Sequence, residues 1–121
     1  MKKGIWNHKT KSYIWYHSTL NGLVDKISKE GLKIFSIPTF QTSSEDRIYV
    51  STLPFTLEKD FSTFAVDLSE LSWEDAGWPF GTSEEPLEKR WQLVVMKNIN
   101  QKYLRLLSRQ ETENLIKTYK K

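Results

Sequence analysis

The sequence predicts an α+β fold, and two patterns point to it. Short apolar runs rich in aromatic and β-branched residues recur at 13–16, 48–51, 61–68, 91–96 and 103–107, as strands do. Residues 20–31 and 108–119 instead space their apolar residues three and four apart, as amphipathic helices do. No repeat or low-complexity tract intervenes. A chain of 121 residues, 38% apolar with five Trp, five Tyr and six Phe, is enough for a single domain, 1–121, that buries about two thirds of its unfolded surface.

Each element has its own local reason. Ile5-Trp6 and Tyr13-Ile14-Trp15-Tyr16 flank the polar Asn7-His8-Lys9-Thr10-Lys11, which predicts a hairpin. The core strand that follows is expected to end at His17. Leu20, Leu23, Val24 and Ile27 then predict a helix, with Ser18 or Thr19 as its N-cap and Gly31 at C′. Pro38 and the polar Gln41-Thr42-Ser43-Ser44 make residues 33–46 a loop, expected to lie over a cleft. Ile48-Tyr49-Val50-Ser51 alternates as a strand, Pro54 allows a short helix over 57–60, and 61–68 reads as the next strand. Residues 91–96 and 103–107 resume the sheet around an Asn-Ile-Asn turn. Ser108-Arg109-Gln110-Glu111 is a capping box for a last helix whose apolar face is Leu115, Ile116 and Tyr119.

The net charge is only +3, but the charges are segregated. Residues 1–40 carry seven Lys against two acids, 89–121 nine bases against two acids, and 41–88 two bases against eleven acids. Basic ends suit phosphates, while the acidic middle suits a different partner. Residues 67–88 hold seven acids, no base, two glycines and two prolines, so 69–88 is expected to be an acidic loop or lid with little regular structure. Trp73, Trp78 and Phe80 within it are candidate anchors for a protein partner.

Some classes are not expected. There is no cysteine, hence no disulfide framework or thiolate metal site, and two histidines without suitable carboxylate spacing make a metal site unexpected. No apolar run approaches the ~20 residues that span a bilayer, and the first residues lack the apolar core of a signal peptide. A cytoplasmic protein with no membrane partner is therefore expected.

Three short motifs occur in a telling order: Tyr16-His17-Ser18-Thr19, then Ile27-Ser28-Lys29-Glu30-Gly31-Leu32, then Arg47-Ile48-Tyr49-Val50-Ser51-Thr52. Together they resemble the NAD-binding core of the ADP-ribosyltransferase superfamily, over roughly residues 13 to 107. The closest likeness is to its small bacterial and phage branch, with the DNA-targeting ADP-ribosyltransferase toxins and the RNA 2′-phosphotransferases. The resemblance implies a compact split β-sheet with a few short helices, and NAD as substrate or ligand.

It also implies roles. His17 resembles the first-motif histidine that hydrogen-bonds the ligand, with the Ser18 and Thr19 backbone near the nicotinamide amide. Tyr49 resembles the second-motif tyrosine that stacks on nicotinamide, with Ser51 and Thr52 beside the ribose. Arg47 is similar to a phosphate-gripping arginine of the 2′-phosphotransferases. Catalytic members carry a glutamate at the start of a late strand, and aligning Leu93-Val94-Val95 with that strand puts Gln92 there. Glutamine keeps the hydrogen bonding but lacks the charge that favours a developing cation. The expected functions are thus an NAD-dependent transferase acting on a nucleic-acid, nucleotide or protein acceptor, or a catalytically silent nucleotide binder or phage-type inhibitor protein, or a plain α+β domain.

Overall fold

In the computed structural model the described residues are 3–32, 48–54, 56–77 and 91–119. They form one antiparallel six-stranded sheet with two helices. The strands are β1 (Ile14–Leu20), β2 (Ile48–Ser51), β3 (Phe61–Asp67), β4 (Ala76–Gly77), β5 (Gln92–Val95) and β6 (Leu104–Leu106), and the helices are α1 (Val24–Glu30) and α2 (Arg109–Tyr119). Their spatial order is β4-β5-β2-β1-β3-β6.

The sheet has two tightly paired halves. β1 and β3 pair along their whole length, from Ile14 opposite Asp67 to Leu20 opposite Phe61, and β6 extends that half. β2 and β5 pair from Ile48 opposite Val95 to Ser51 opposite Gln92, with β4 on the outer edge. Between the halves, β1 and β2 share a single paired position, Tyr16 opposite Ser51. The sheet is therefore split at its centre.

Strand alternation sends one side chain to each face in turn, and both faces are used. Trp15, Ile48, Val50, Phe64, Val66, Leu93 and Val95 form the main core with Ile27 of α1. On the other face Tyr16, Ala65 and Leu107 pack against Leu115 of α2. Trp15 is fully buried, and its indole N–H donates to the Ile5 carbonyl at 2.9 Å. That bond fastens the N-terminal hairpin to the sheet.

Helix boundaries follow the sequence at some ends only. Gly31 closes α1 as expected, at φ +84° and ψ −176°, a region open essentially to glycine. A side chain there would also strike the Ile99 carbonyl, where Leu32 and Ile99 form a two-way bridge. The capping box is present: Glu111 N–H donates to Ser108 Oγ at 3.1 Å and Ser108 N–H to Glu111 Oε1 at 2.9 Å.

Four expectations differ from the structure. β1 does not end at His17 but runs on through Leu20, because Ser18 and Thr19 pair with Thr63 and Ser62 of β3. Consequently neither Ser18 nor Thr19 caps α1, which starts at Val24 after a 3-10 turn over Asn21–Leu23 with no side-chain cap. Residues 56–60 form no helix, ending in a turn at Lys59 and Asp60. Within 69–88, a 3-10 turn over Trp73–Asp75 leads into edge strand β4, whose Ala76 is buried in the core. Asp75 organises that turn by accepting from Ser72 N–H at 3.2 Å, while its carbonyl accepts from Met96 N–H at 2.8 Å. Local hydrogen bonds thus outweigh the acidic composition. Residues 33–46 and 78–88 lie outside the described residues.

Candidate functional site

The split between β1 and β2 is where the motif residues meet. Past Tyr16 the β1–β2 ladder stops, and a side chain bridges the gap: His17 Nδ1 lies 2.7 Å from the Tyr49 carbonyl oxygen. A carbonyl only accepts, so Nδ1 carries the proton. In the neutral ring Nε2 is then an acceptor. His17 is 7% exposed, and burial pushes its pKa below the ordinary histidine value, the Tyr49 carbonyl opposing that in part. The imidazole is held neutral and in one tautomer.

Tyr49 and Gln92 lie on the two neighbouring strands. Along β2, Ile48 and Val50 enter the main core, so Tyr49 and Ser51 leave by the opposite face. Gln92 opens β5 directly opposite Ser51, and Ser51 stands opposite Tyr16. Tyr16, Ser51 and Gln92 therefore form one row across the split, with Tyr49 two residues along on the same face. Tyr49 and Gln92 are both half-buried.

His17 is on the other side. Its register partner is Phe64 of the main core, so strand alternation does not bring the His17 and Tyr49 rings into one cleft. The two are coupled through the ring of His17 and the backbone of Tyr49. The reason is strand phase: His17 lies two residues from Trp15 and opposite Phe64, both in the main core, and so shares their face.

The other expected residues are placed as follows. The Ser18 hydroxyl lies 3.1 Å from that of Thr63. Thr19 is buried in mid-strand, so no helix N-terminus is built from these two residues. Ser51 is 2% exposed and donates to the Leu53 carbonyl at 2.6 Å. Thr52 is also buried; its N–H donates to the Trp91 carbonyl at 2.8 Å and its own carbonyl accepts from Asn7 Nδ2 at 2.9 Å. Ser51 through its hydroxyl and Thr52 through its backbone close the end of β2. Trp73 starts the 3-10 turn before β4, while Arg47, Trp78 and Phe80 lie outside the described residues.

Alternation missed the aromatics at one end of the sheet. Trp6, Tyr13 and Trp91 are exposed, although each adjoins an apolar run that reads as core. The available signal was phase: Ile5 and Trp15 are buried, so Trp6 is turned out. A groove of about 190 Å³ lies elsewhere, lined among others by Asn21, Lys59, Ser62, Thr63, Arg109 and Thr112, and includes none of His17, Tyr49 and Gln92.

Among the described residues no group of three His, Asp or Glu is placed to hold a metal ion, and no helix is long and apolar enough to cross a membrane. Compared with known proteins, the chain matches no family model, and no curated protein matches it significantly.

Proposed function

We propose that this chain is an ADP-ribosyltransferase-like domain that binds NAD at the β1–β2 split and transfers its ADP-ribose to a nucleic-acid, nucleotide or protein acceptor. The observation that carries the reading is the placement of His17, Tyr49 and Gln92 on three adjacent strands, β1, β2 and β5, with the first two joined by a 2.7 Å hydrogen bond. Motifs far apart in sequence, chosen for likeness to one family, lie on neighbouring strands, with the Tyr49 and Gln92 side chains on one face of the sheet and His17 on the other.

Each group has a chemical part. His17 lies on the other face and acts through its ring, whose bond to the Tyr49 carbonyl holds the strand that carries the stacking side chain. The Tyr49 ring stacks on nicotinamide, worth on the order of 1 kcal/mol. Transfer breaks the bond between nicotinamide nitrogen and the ribose anomeric carbon, nicotinamide leaves neutral, and the acceptor bonds to that carbon while losing its proton. Gln92 offers its amide oxygen to a ribose hydroxyl beside the developing cation.

Gln92 also favours a second reading, in which the domain binds the nucleotide and transfers nothing, since a neutral amide stabilises a cation less than a carboxylate. Calorimetry with NAD and ADP-ribose, on wild type and Tyr49→Ala, tests binding; nicotinamide release separates the two readings. Saturable binding weakened by Tyr49→Ala is expected. A well-folded wild type that binds neither nucleotide overturns both readings.

A further inference from the structure

We propose that the N-terminal hairpin, residues 6–13, together with Trp91, is a docking surface for single-stranded nucleic acid. The surface begins with rigidity. Asn7 is fully buried, and its side chain is saturated: Nδ2 donates to the carbonyls of Ile14 at 2.7 Å and Thr52 at 2.9 Å, and Oδ1 accepts from the N–H of Lys9 at 2.9 Å and Thr10 at 3.4 Å. Asn7 also bridges Ser12 through the backbone, and Lys11 turns the chain at φ 57°. The hairpin is fixed to the end of β2.

Outward from this frame point two rings and three basic side chains. Trp6 and Tyr13 meet edge to face, centroids 5.1 Å apart at 79°, and remain 42% and 37% exposed. Gly4, at φ +103°, lies so close beneath Tyr13 that a Cβ would press into the ring, which backs it against the chain. His8, Lys9 and Lys11 at the tip are all exposed. Trp91, 59% exposed, is tied to the same end of the sheet, because its carbonyl bonds Thr52 N–H and Thr52 bonds Asn7.

Preorganised exposed rings beside lysines are what a flexible polyanion with free base faces requires. Bases stack on the rings with little regard to sequence, and the lysines neutralise phosphates. A duplex hides its base faces and gains nothing from the rings. An acidic protein surface would use the lysines but not require stacking. The surface stands on these observations alone and does not depend on the transferase reading.

The test is fluorescence anisotropy of labelled oligo(dT) and oligo(U) with the whole chain, in the absence of NAD and over a range of salt. Wild type should bind both single strands more tightly than a duplex of the same length. Trp6→Ala with Trp91→Ala should weaken binding about tenfold or more with an unchanged salt slope. Lys9→Ala with Lys11→Ala should lower the slope of log affinity against log salt by about 1.4, roughly 0.7 for each phosphate released. Near-ultraviolet circular dichroism confirms that the variants fold, and Lys9→Arg with Lys11→Arg should restore the slope. Equal binding of duplex and single strand, or ring variants that bind like wild type, overturns the proposal. So does a surface that captures only acidic protein. Failure to bind NAD leaves it untouched.

Discussion

Changing His17 isolates one proton and one hydrogen bond at the split. His17→Asn keeps a donor at the position of Nδ1 but removes titration, whereas His17→Ala removes both. Losing the donor removes one part-buried hydrogen bond from the Tyr49 carbonyl, which costs about 0.5–1.5 kcal/mol, and the emptied ring volume adds to that. The pH dependence is separable. Burial lowers the folded-state pKa of His17 below its ordinary 6.5, so as pH falls below that value the unfolded chain takes up a proton that the folded protein refuses. Stability is then fully present above about pH 6.5 and declines as pH falls, by at most about 1.4 kcal/mol per pH unit for one proton. Urea melts of wild type, His17→Asn and His17→Ala between pH 5 and 8 measure this, and subtracting a variant from wild type cancels the carboxylates. Wild type minus His17→Asn should narrow in favour of the variant as pH drops. A difference that stays flat would falsify the neutral buried imidazole.

Three further outcomes are expected. Gln92→Glu should raise nicotinamide release from NAD by restoring a carboxylate beside the developing cation; no change in a variant that still binds NAD indicates that more than this group limits transfer. Asn7→Asp replaces two donors by an acceptor against the Ile14 and Thr52 carbonyls, and thermal melts should show a loss of about 2–5 kcal/mol, a loss under 1 kcal/mol being incompatible with the buried geometry. Gly31→Ala should cost about 2 kcal/mol or more in denaturant midpoint, through a glycine-only conformation and a collision with Ile99, while Ser108→Ala in the exposed capping box should cost about 1 kcal/mol.

Local chemistry made much of this fold legible. The i, i+3, i+4, i+7 spacing around Ile27 and the glycine after it mark α1, because one face of a helix must be apolar and only glycine tolerates the Gly31 dihedrals. The capping box at Ser108 is equally local. What was not legible depends on partners distant in sequence. Ser18 and Thr19 are good cap residues and also good strand residues, and the choice was made by β3, whose Thr63 and Ser62 lie opposite them. Residues 73–77 read as an acidic loop, yet Ala76 is buried because Val95 offers an edge to pair with. Propensity sets a preference of a fraction of a kcal/mol per residue, and a ladder plus burial exceeds it.

The same reasoning explains the candidate site. Motif order in the sequence groups His17, Tyr49 and Gln92 but cannot give the face each occupies, since that is set by phase against the core residues Trp15, Val50 and Leu93. Where two strands share one paired position, the backbone groups beyond it need other partners, and the His17 ring supplies one to Tyr49. A histidine there closes the split as a structural element, on the face opposite the Tyr49 and Gln92 side chains. His17→Asn, which keeps the inner bond, should fold like wild type at neutral pH and bind NAD as wild type does, whereas His17→Ala, which removes that bond, should bind it at least severalfold more weakly. An Asn variant that folds but loses NAD in calorimetry would instead put the His17 ring in contact with the ligand and overturn its assignment as a positioning residue.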